Sequence, residues 1–306
     1  MTHKPLILSN EEIEKAITVQ ECMDVVEELF RDVDRCQMPP KLYLDIPDGD
    51  FRAMPAVVDN TAGIKWCGVH LDKSGEKRKI NIFAKVLIND VDTGELLAIM
   101  DGEQLTAIRT AAVTGVATKY VAYPDAVIAA FVGCGNQTEK QIQAVMLARE
   151  LNKIVLFDLD RGRCDEIAKL FKDDLEVEIA DSLEGCVKEA DIVTTLTPTR
   201  VPFLEHEFLK DMVHVNAVGA DAKGKRELSQ SVLDNIDFVV YDNLEQCSHS
   251  GEIQYVPLKS KKQTWVSLGE VVSGQINVDG DQTLFDATGL ATEDVVTARY
   301  IYEKIK

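Results

Sequence analysis

Long hydrophobic runs are missing from the 306-residue sequence, and no stretch approaches the about 20 consecutive apolar residues that a membrane span needs. The opening Met1-Thr2-His3-Lys4-Pro5 has no apolar run that ends in small residues, so we expect no export signal. Positive charge is scarce too, with 33 Lys and Arg against 52 Asp and Glu, a net charge of −19. This balance argues against a nucleic-acid partner, because binding to phosphate backbones needs a basic surface.

Paired cysteine motifs are also missing. The seven cysteines include no CxxC pair and no closely spaced cluster with histidine, so we expect free thiols, a reducing cytoplasm and no metal site. What the sequence does have is apolar material, at 45% of its residues. That share and the length suit a large core divided between two domains.

The first hundred residues predict two helices and then an antiparallel sheet. Ser9 and Thr18 each precede a glutamate by three residues, the spacing of a capping box. We expect the second helix to run until Met38-Pro39-Pro40, because proline cannot continue a helix. Its predicted apolar stripe comprises Cys22, Val25, Val26, Leu29 and Val33. Short turns, such as Lys73-Ser74-Gly75, separate the predicted strands, which are 41–46, 51–58, 64–69, 80–88 and 96–100.

From residue 126 onwards, apolar strands alternate with helices. The first strand, 126–132, leads into Gly133-Cys134-Gly135 and then into a helix whose predicted buried face holds Ala144, Leu147, Ala148 and Leu151. Further strands are predicted at 154–157, 177–180, 192–197, 213–218 and 238–241. This alternation is typical of a doubly wound parallel sheet, so the fold class is α/β. A last helix is predicted at 292–305, with Val295, Val296, Ile301 and Ile305 available for burial.

Gly133 and Gly135 stand where a strand turns into a helix, and there a bare backbone can approach a pyrophosphate. Asp158 closes the next strand, 25 residues after Gly133, where a carboxylate binds a ribose diol and repels a 2′-phosphate. The turn therefore predicts NAD as cofactor. Thr138 at the third glycine position and the nearby Arg161 and Arg163 argue in the other direction. A tight turn without a ligand is the alternative interpretation.

Eight segments, in order, resemble the ornithine cyclodeaminase/mu-crystallin family, and within it the archaeal NAD-dependent alanine dehydrogenases. The segments cover nearly the whole chain, and they are Met38-Pro39-Pro40-Lys41, Phe51-Arg52-Ala53-Met54-Pro55-Ala56, Gly63-Ile64-Lys65-Trp66, Ile108-Arg109-Thr110-Ala111-Ala112, Gly133-Cys134-Gly135-Asn136-Gln137, Asn216-Ala217-Val218-Gly219-Ala220-Asp221 with Gly224-Lys225, His249-Ser250-Gly251-Glu252-Ile253 and Phe285-Asp286-Ala287-Thr288-Gly289-Leu290.

The resemblance implies a Rossmann dinucleotide-binding domain, 115–290, inserted in an α+β domain with an antiparallel sheet. The second domain comprises 1–114 and the C-terminal helix 291–306, and it binds substrate and forms a homodimer. The resemblance makes Lys65 and Asp221 the catalytic residues, and it implies that Arg52, Lys41 and Arg109 bind the substrate carboxylate or cofactor phosphates. It implies that the cofactor is lined by Asn136, Gln137, Asp158, Thr197, Gly219, Lys225 and Ala287, beside the two glycines of the turn.

Relatives of this kind transfer a hydride from an amino acid to nicotinamide and then diverge. An alanine dehydrogenase releases ammonia, pyruvate and NADH, whereas an ornithine cyclodeaminase closes the ring and returns the hydride to give proline. Cyclodeaminases carry a glutamate two residues before the Met-Pro pair, and this chain has Arg52 there, which would repel the distal ammonium of ornithine. We therefore expect L-alanine as substrate.

Three other functions stay open: a cyclodeaminase, a ketimine reductase, and a non-catalytic binder of NAD(P)H and a small ligand such as mu-crystallin. Lys85 occupies a position that is usually apolar in the family. It would either bind an extra substrate carboxylate or project to solvent, and we favour the second. The joint presence of Lys65, Asp221 and Arg52 favours an enzyme over a binder, because pure binding needs no acid/base pair.

Overall fold

A computed structural model describes residues 4–72, 79–256 and 263–306. The predicted turn at Lys73-Ser74-Gly75 lies outside them. The chain forms two compact units: unit 1 comprises Met1–Thr110 with Leu290–Lys306, and unit 2 comprises Ala111–Gly289. Unit 1 contains a mostly antiparallel sheet and unit 2 a parallel sheet, which confirms the α/β class. None of the helices described is long and apolar enough to cross a membrane.

Unit 1 begins with ten elements in chain order. They are β1 Leu6–Leu8, α1 Asn10–Ala16, α2 Val19–Arg31, β2 Cys36–Gln37, β3 Leu42–Ile46, β4 Gly49–Val58, β5 Thr61–Asp72, β6 Lys79–Asp90, β7 Leu96–Asp101 and α3 Gly102–Val121, whose second half belongs to unit 2. The sheet order is β1-β7-β6-β5-β4-β2, and β3 also pairs with β4. Only the pairing of β1 with β7 is parallel among these strands.

The elements after α3 belong to unit 2, except for the last helix, α10, which belongs to unit 1. They are β8 Ile128–Val132, α4 Thr138–Ala148, β9 Lys153–Phe157, α5 Arg161–Phe171, β10 Glu176–Ile179, α6 Leu183–Val187, β11 Ile192–Thr195, β12 Val213–Ala217, α7 Gln230–Asn235, β13 Phe238–Tyr241, α8 Leu244–Ser250, β14 Thr264–Ser267, α9 Leu268–Val272, β15 Gln282–Asp286 and α10 Ala291–Ile305. The strand order of the parallel sheet is β10-β9-β8-β11-β12-β15-β13-β14.

The two N-terminal helices start as the capping boxes predict, because Ser9 and Thr18 each exchange hydrogen bonds with a glutamate three residues on. The predicted end of α2 is wrong. The helix stops at Arg31, well before the prolines, because the chain turns at Asp32 and then pairs β2 with β4. Val33 therefore lies outside the helix and is 50% exposed, although the predicted stripe included it.

The sheet of unit 1 has one buried and one exposed face. Along β4, Met54, Ala56 and Val58 are buried, and they form a cluster with Leu29 of α2 and Val295 of α10. The opposite face of the sheet carries large side chains that remain accessible, and these are Leu42, Leu44, Phe51, Trp66 and Phe83. Successive side chains along each strand point to opposite faces of the sheet. One face therefore packs against α10, and the other is an apolar outer face.

Two predicted helix faces each include one residue that is exposed. Leu147 of α4 is 48% exposed, although Ala144 of the same predicted face is buried, and the sequence analysis missed the buried Ile142 and Val145. In α10, Ile305 is 41% exposed because it lies in the last turn. Both errors come from choosing apolar letters at helical spacing without knowing which side the sheet covers.

Candidate functional site

Lys65 is a buried cation on the inner face of the unit 1 sheet. It lies on β5 opposite Met54 of β4 and Val86 of β6, and it is only 4% exposed. Its Nζ donates to Oδ1 of Asp294 at 3.0 Å and lies 2.8 Å from Oδ2. A lysine in this position is held by a charge partner rather than by solvent.

Arg109 of α3 shares the same carboxylate. Its Nε donates to Oδ1 of Asp294 at 2.9 Å, and its Nη1 donates to Oε2 of Glu293 at 2.8 Å. All four side chains are buried. Asp294, in the first turn of α10, therefore joins Lys65 to Arg109, and the neighbouring Glu293 binds Arg109. The sequence analysis missed both acidic residues. Their position in a predicted first helical turn made them look like ordinary helix-start acids.

Burial and charge shift the proton affinities of this cluster. Burial lowers the pKa of Lys65, the nearby Arg109 lowers it further, and Asp294 opposes both effects. Burial by itself raises the pKa of Asp294, but Arg109 and Lys65 hold that pKa below its ordinary value. The cluster thus keeps an ionised carboxylate between two cations, one of which can give up its proton more readily than a lysine in water.

The other two predicted substrate cations also lie in unit 1. Arg52 is 7% exposed and sits opposite Cys67, so its side chain leaves the sheet on the same face as Lys65. Its Nε donates to Oδ1 of Asp50 at 2.6 Å, and its guanidinium lies 5.5 Å from the centre of the Tyr43 ring. Lys41 is half-buried directly before β3.

Lys85 belongs to the outer face of the sheet. It lies opposite Trp66, on the side away from Lys65, and its side chain is 59% exposed and forms an ion pair with Asp101. The interpretation of Lys85 as a solvent-facing strand residue therefore agrees with its position.

In unit 2, the glycine turn follows β8 and precedes α4. Gly133 has a φ of +101°, and a Cβ there would lie 3.1 Å from the carbonyl carbon of Leu196. Space beside Gly135 is open. Thr138 occupies the position of the third glycine, and its side chain has a structural role there. Its Oγ1 donates to the carbonyl of Gly133 at 2.8 Å and closes the turn.

Asp158 lies immediately after β9 and faces the glycine turn. Its Oδ2 accepts the backbone N–H of Cys134 at 2.8 Å, and its Oδ1 accepts that of Asp160 at 2.8 Å. Asn136 is exposed, whereas Gln137 precedes α4 with a buried Oε1 that has no hydrogen-bond partner. An open turn, a helix N-terminus and an orphaned amide oxygen fit a dinucleotide.

The remaining predicted residues follow the carboxyl ends of β11, β12 and β15. Lys225 forms an ion pair with Asp221 and also donates to the carbonyl of Gly219 at 3.2 Å. Thr197 is half-buried two residues after β11. Ala287 is buried, and its N–H donates to the carbonyl of Ala217 at 3.0 Å. The carboxyl edge is where ligands of open parallel sheets bind. Among the described residues, no group of acidic, histidine or cysteine side chains is arranged to hold a metal ion.

Comparison with known proteins decides the family. The model of the ornithine cyclodeaminase/mu-crystallin family matches residues 3–306. The chain belongs to this family. It is 35% identical to an alanine dehydrogenase of Archaeoglobus fulgidus, over 97% of this chain and 94% of the relative. It is 31% identical to an ornithine cyclodeaminase of Agrobacterium fabrum, over 92% of this chain and 80% of the relative.

Solved structures agree with the assignment. An archaeal alanine dehydrogenase dimer with bound NAD superposes with a TM-score of 0.90 at 35% identity, covering 98% of this chain and 95% of that one. The Δ1-pyrroline-2-carboxylate reductase of Thermococcus litoralis, in complex with NADH and L-proline, gives 0.88 at 28% identity, with 98% and 97% covered. The family thus includes several reactions on one fold.

Proposed function

We propose that the protein is an NAD-dependent oxidoreductase that converts L-alanine, water and NAD⁺ to pyruvate, ammonium, NADH and a proton. The observation that carries this choice of substrate is Arg52, a buried cation on the same face as Lys65. A cyclodeaminase needs a carboxylate for the distal ammonium of ornithine, and an unpaired buried charge is costly. The similarity to alanine dehydrogenases over nearly the whole chain supports the same reaction.

Unit 2 supplies the cofactor site in this proposal. The N-terminus of α4 and the open space at Gly135 would bind the pyrophosphate. Asp158 would take the ribose diol with the lone pairs that its two backbone hydrogen bonds leave available. Further contacts would come from Asn136, Gln137, Thr197, Gly219, Lys225 and Ala287. When bound, NAD supplies a nicotinamide ring that accepts a hydride.

The cations of unit 1 act on the substrate carboxylate. Lys65 and Arg109 would share their charge between Asp294 and the carboxylate of alanine, with Arg52 and Lys41 adding further positive charge. Loss of a hydride from Cα converts the amine to an imine. Asp221 would take a proton of the amino group and release it to solvent, and would then take a proton from the attacking water and pass it to the nitrogen of the resulting carbinolamine. Ammonia then leaves as the C–N bond breaks, and loss of the hydroxyl proton gives pyruvate.

Ornithine cyclodeamination is the second candidate, and one observation favours it. Asp50 forms an ion pair with Arg52 and its side chain is 20% exposed, so this corner of the sheet does contain a carboxylate for a distal ammonium. In that reaction the distal amine of the substrate attacks the imine, ammonia leaves, and the same hydride returns to give proline.

We also propose that the protein is a homodimer. The outer face of the unit 1 sheet exposes Phe83 by 70% and Trp66 by 40%, and Phe51 stacks on Trp66 at 5.5 Å between ring centres. Large apolar side chains gathered on one sheet face indicate a protein partner. A second copy of this chain is the partner we propose, since the similar alanine dehydrogenase is a dimer.

The proposal is tested by giving the purified protein and NAD⁺ either L-alanine or L-ornithine, following NADH by absorbance and assaying proline in the second sample. We expect sustained NADH formation with alanine and no proline from ornithine. Proline without accumulating NADH would support the cyclodeaminase instead. No reaction with either amino acid would contradict both candidates and favour an imine reductase or a binder.

A further inference from the structure

Glu227 is a fully buried carboxyl group that none of the sequence motifs assigned to the reaction includes. It follows Lys225 by two residues in unit 2 and accepts four hydrogen bonds. Oε1 accepts from the backbone N–H of Thr197 at 2.6 Å and from its Oγ1 at 2.7 Å. Oε2 accepts from Oγ1 of Thr195 at 2.7 Å and from the N–H of Gly219 at 2.9 Å.

These partners come from two neighbouring strand ends. Thr195 ends β11 and Thr197 follows it, whereas Gly219 lies two residues beyond the end of β12. One carboxyl group therefore joins the loops that carry two of the proposed cofactor contacts. The fit at Gly219 is close, because a Cβ there would lie 2.5 Å from Oε2 of Glu227.

Other buried acids fix Glu227 in turn. The N–H groups of Glu227 and Leu228 donate to Glu252 at 2.6 and 3.2 Å. The N–H groups of Glu252 and Ile253 donate to Asp286, at the end of β15, at 3.1 and 3.0 Å. The chain of acids thus ties the carboxyl ends of β11, β12 and β15 to one another.

We propose that Glu227 is a positioning residue of the dinucleotide site, and that its carboxyl group sets the spacing between the loops after β11 and β12. The inference rests on the proposed NAD site but not on the identity of the amino acid. Burial raises the pKa of Glu227 and of Glu252, and raises that of Asp286 to about 7. Burying an acidic group costs free energy. Each of these carboxyl groups accepts a backbone N–H on both of its oxygens, which a neutral amide with a single acceptor oxygen cannot do.

The substitution Glu227→Gln tests this with little change in volume. An amide has only one acceptor oxygen, so one of the two backbone N–H groups would face an NH₂ group. In fluorescence titrations without amino acid, we expect the affinity for NADH to fall about tenfold, the loss expected for one charge-assisted hydrogen bond. The exposed Glu207→Gln serves as the matched control and should bind NADH like the wild type.

Thermal unfolding of the same variants separates positioning from stability. A purely structural role would lower the unfolding midpoint of Glu227→Gln and leave the NADH affinity of the folded protein unchanged, and that result would overturn the inference. If this variant does not fold, Thr195→Val removes one donor and keeps the carboxyl group, and we then expect NADH affinity to fall about threefold. Unchanged affinity in that variant would also overturn it. A wild type that binds NADH but oxidises no amino acid would contradict only the proposed reaction.

Discussion

At the scale of single residues, the two proposed catalytic residues, Lys65 and Asp221, differ in their exposure to solvent. In unit 1, Lys65 and Arg109 are locked to Asp294 by hydrogen bonds of about equal length, and all three are buried. In unit 2, Asp221 is partly exposed, with 37% of its side chain accessible beside Lys225. A half-exposed acid can exchange protons with water, whereas a buried cluster is better suited to holding a carboxylate.

The first prediction concerns Asp221. Replacing it with asparagine should remove the proton acceptor and keep the shape, so turnover with L-alanine should fall by about 10²–10⁴-fold. NADH affinity should stay near that of the wild type, because the substitution leaves the glycine turn and Asp158 intact. Steady-state rates and NADH titration measure the two effects separately. Turnover close to the wild-type rate would remove Asp221 from the mechanism.

The second prediction concerns pH. Asp294 is the group that raises the pKa of Lys65 against burial and Arg109. Asp294→Asn removes that charge, so the pKa of Lys65 should fall further below 10.5. If protonated Lys65 binds the substrate carboxylate, kcat/KM declines as the pH rises through this pKa, and in the variant the decline should begin at a lower pH.

The control for the pH profile is Asp211→Asn, an exposed residue of unit 2. Its profile should overlay that of the wild type. A high-pH limb in Asp294→Asn that stays in place, or moves to higher pH, would show that Lys65 does not control this limb.

At the scale of elements, the sequence predicted correctly those features that depend on residues close together in the chain. The capping boxes of α1 and α2 and the strand–turn–helix around Gly133 follow directly from their residues. α3 was missed because its buried alanines and threonines surround the helix and leave no apolar stripe to detect. β15 was missed as well, and only the parallel pairing with β12 and β13 reveals its central place.

In the candidate site too, contacts between residues far apart in the sequence could not be predicted. Lys65 and Arg109 were identified through family segments, but Asp294, which joins them, lies 229 residues after Lys65 and 185 residues after Arg109, on α10. Glu227 likewise contacts residues about 30 positions away in Thr195 and Thr197. Spacing within a sequence cannot show contacts that only the tertiary fold creates.

The third prediction concerns the loop after β9. Asp158→Ala should weaken NAD⁺ binding more than NADP⁺ binding, because it removes the ribose acceptor and also the negative charge that repels a 2′-phosphate. Titration of both cofactors measures the ratio, with Asp160→Ala as the neighbouring control. Equal weakening of both would mean that Asp158 serves only to hold Cys134 and the turn.

At the scale of the whole molecule, the apolar outer face of the unit 1 sheet is the feature with the clearest consequence. Phe83 is 70% exposed on β6, opposite Gly68. A protein with a net charge of −19 is well protected from unspecific association. An exposed aromatic cluster on such a surface therefore indicates a specific partner.

The fourth prediction tests that partner. Phe83→Lys should convert a homodimer to a monomer, because dimerisation would bury an unpaired ammonium group. Light scattering after size-exclusion chromatography gives the mass directly. Leu159→Lys is the matched control, since Leu159 is 97% exposed in unit 2 and should not alter assembly. A wild type that is monomeric, or a Phe83→Lys dimer, would contradict the proposed interface.

In the proposed reaction, a hydride moves from Cα of alanine to the nicotinamide of NAD⁺. The most direct test is to incubate the protein with NAD⁺ and L-alanine deuterated at Cα, and to analyse the reduced cofactor by mass spectrometry. We predict NADH that carries one deuterium, together with pyruvate that carries none from Cα. Unlabelled NADH, or no reduced cofactor at all, would contradict the proposed reaction.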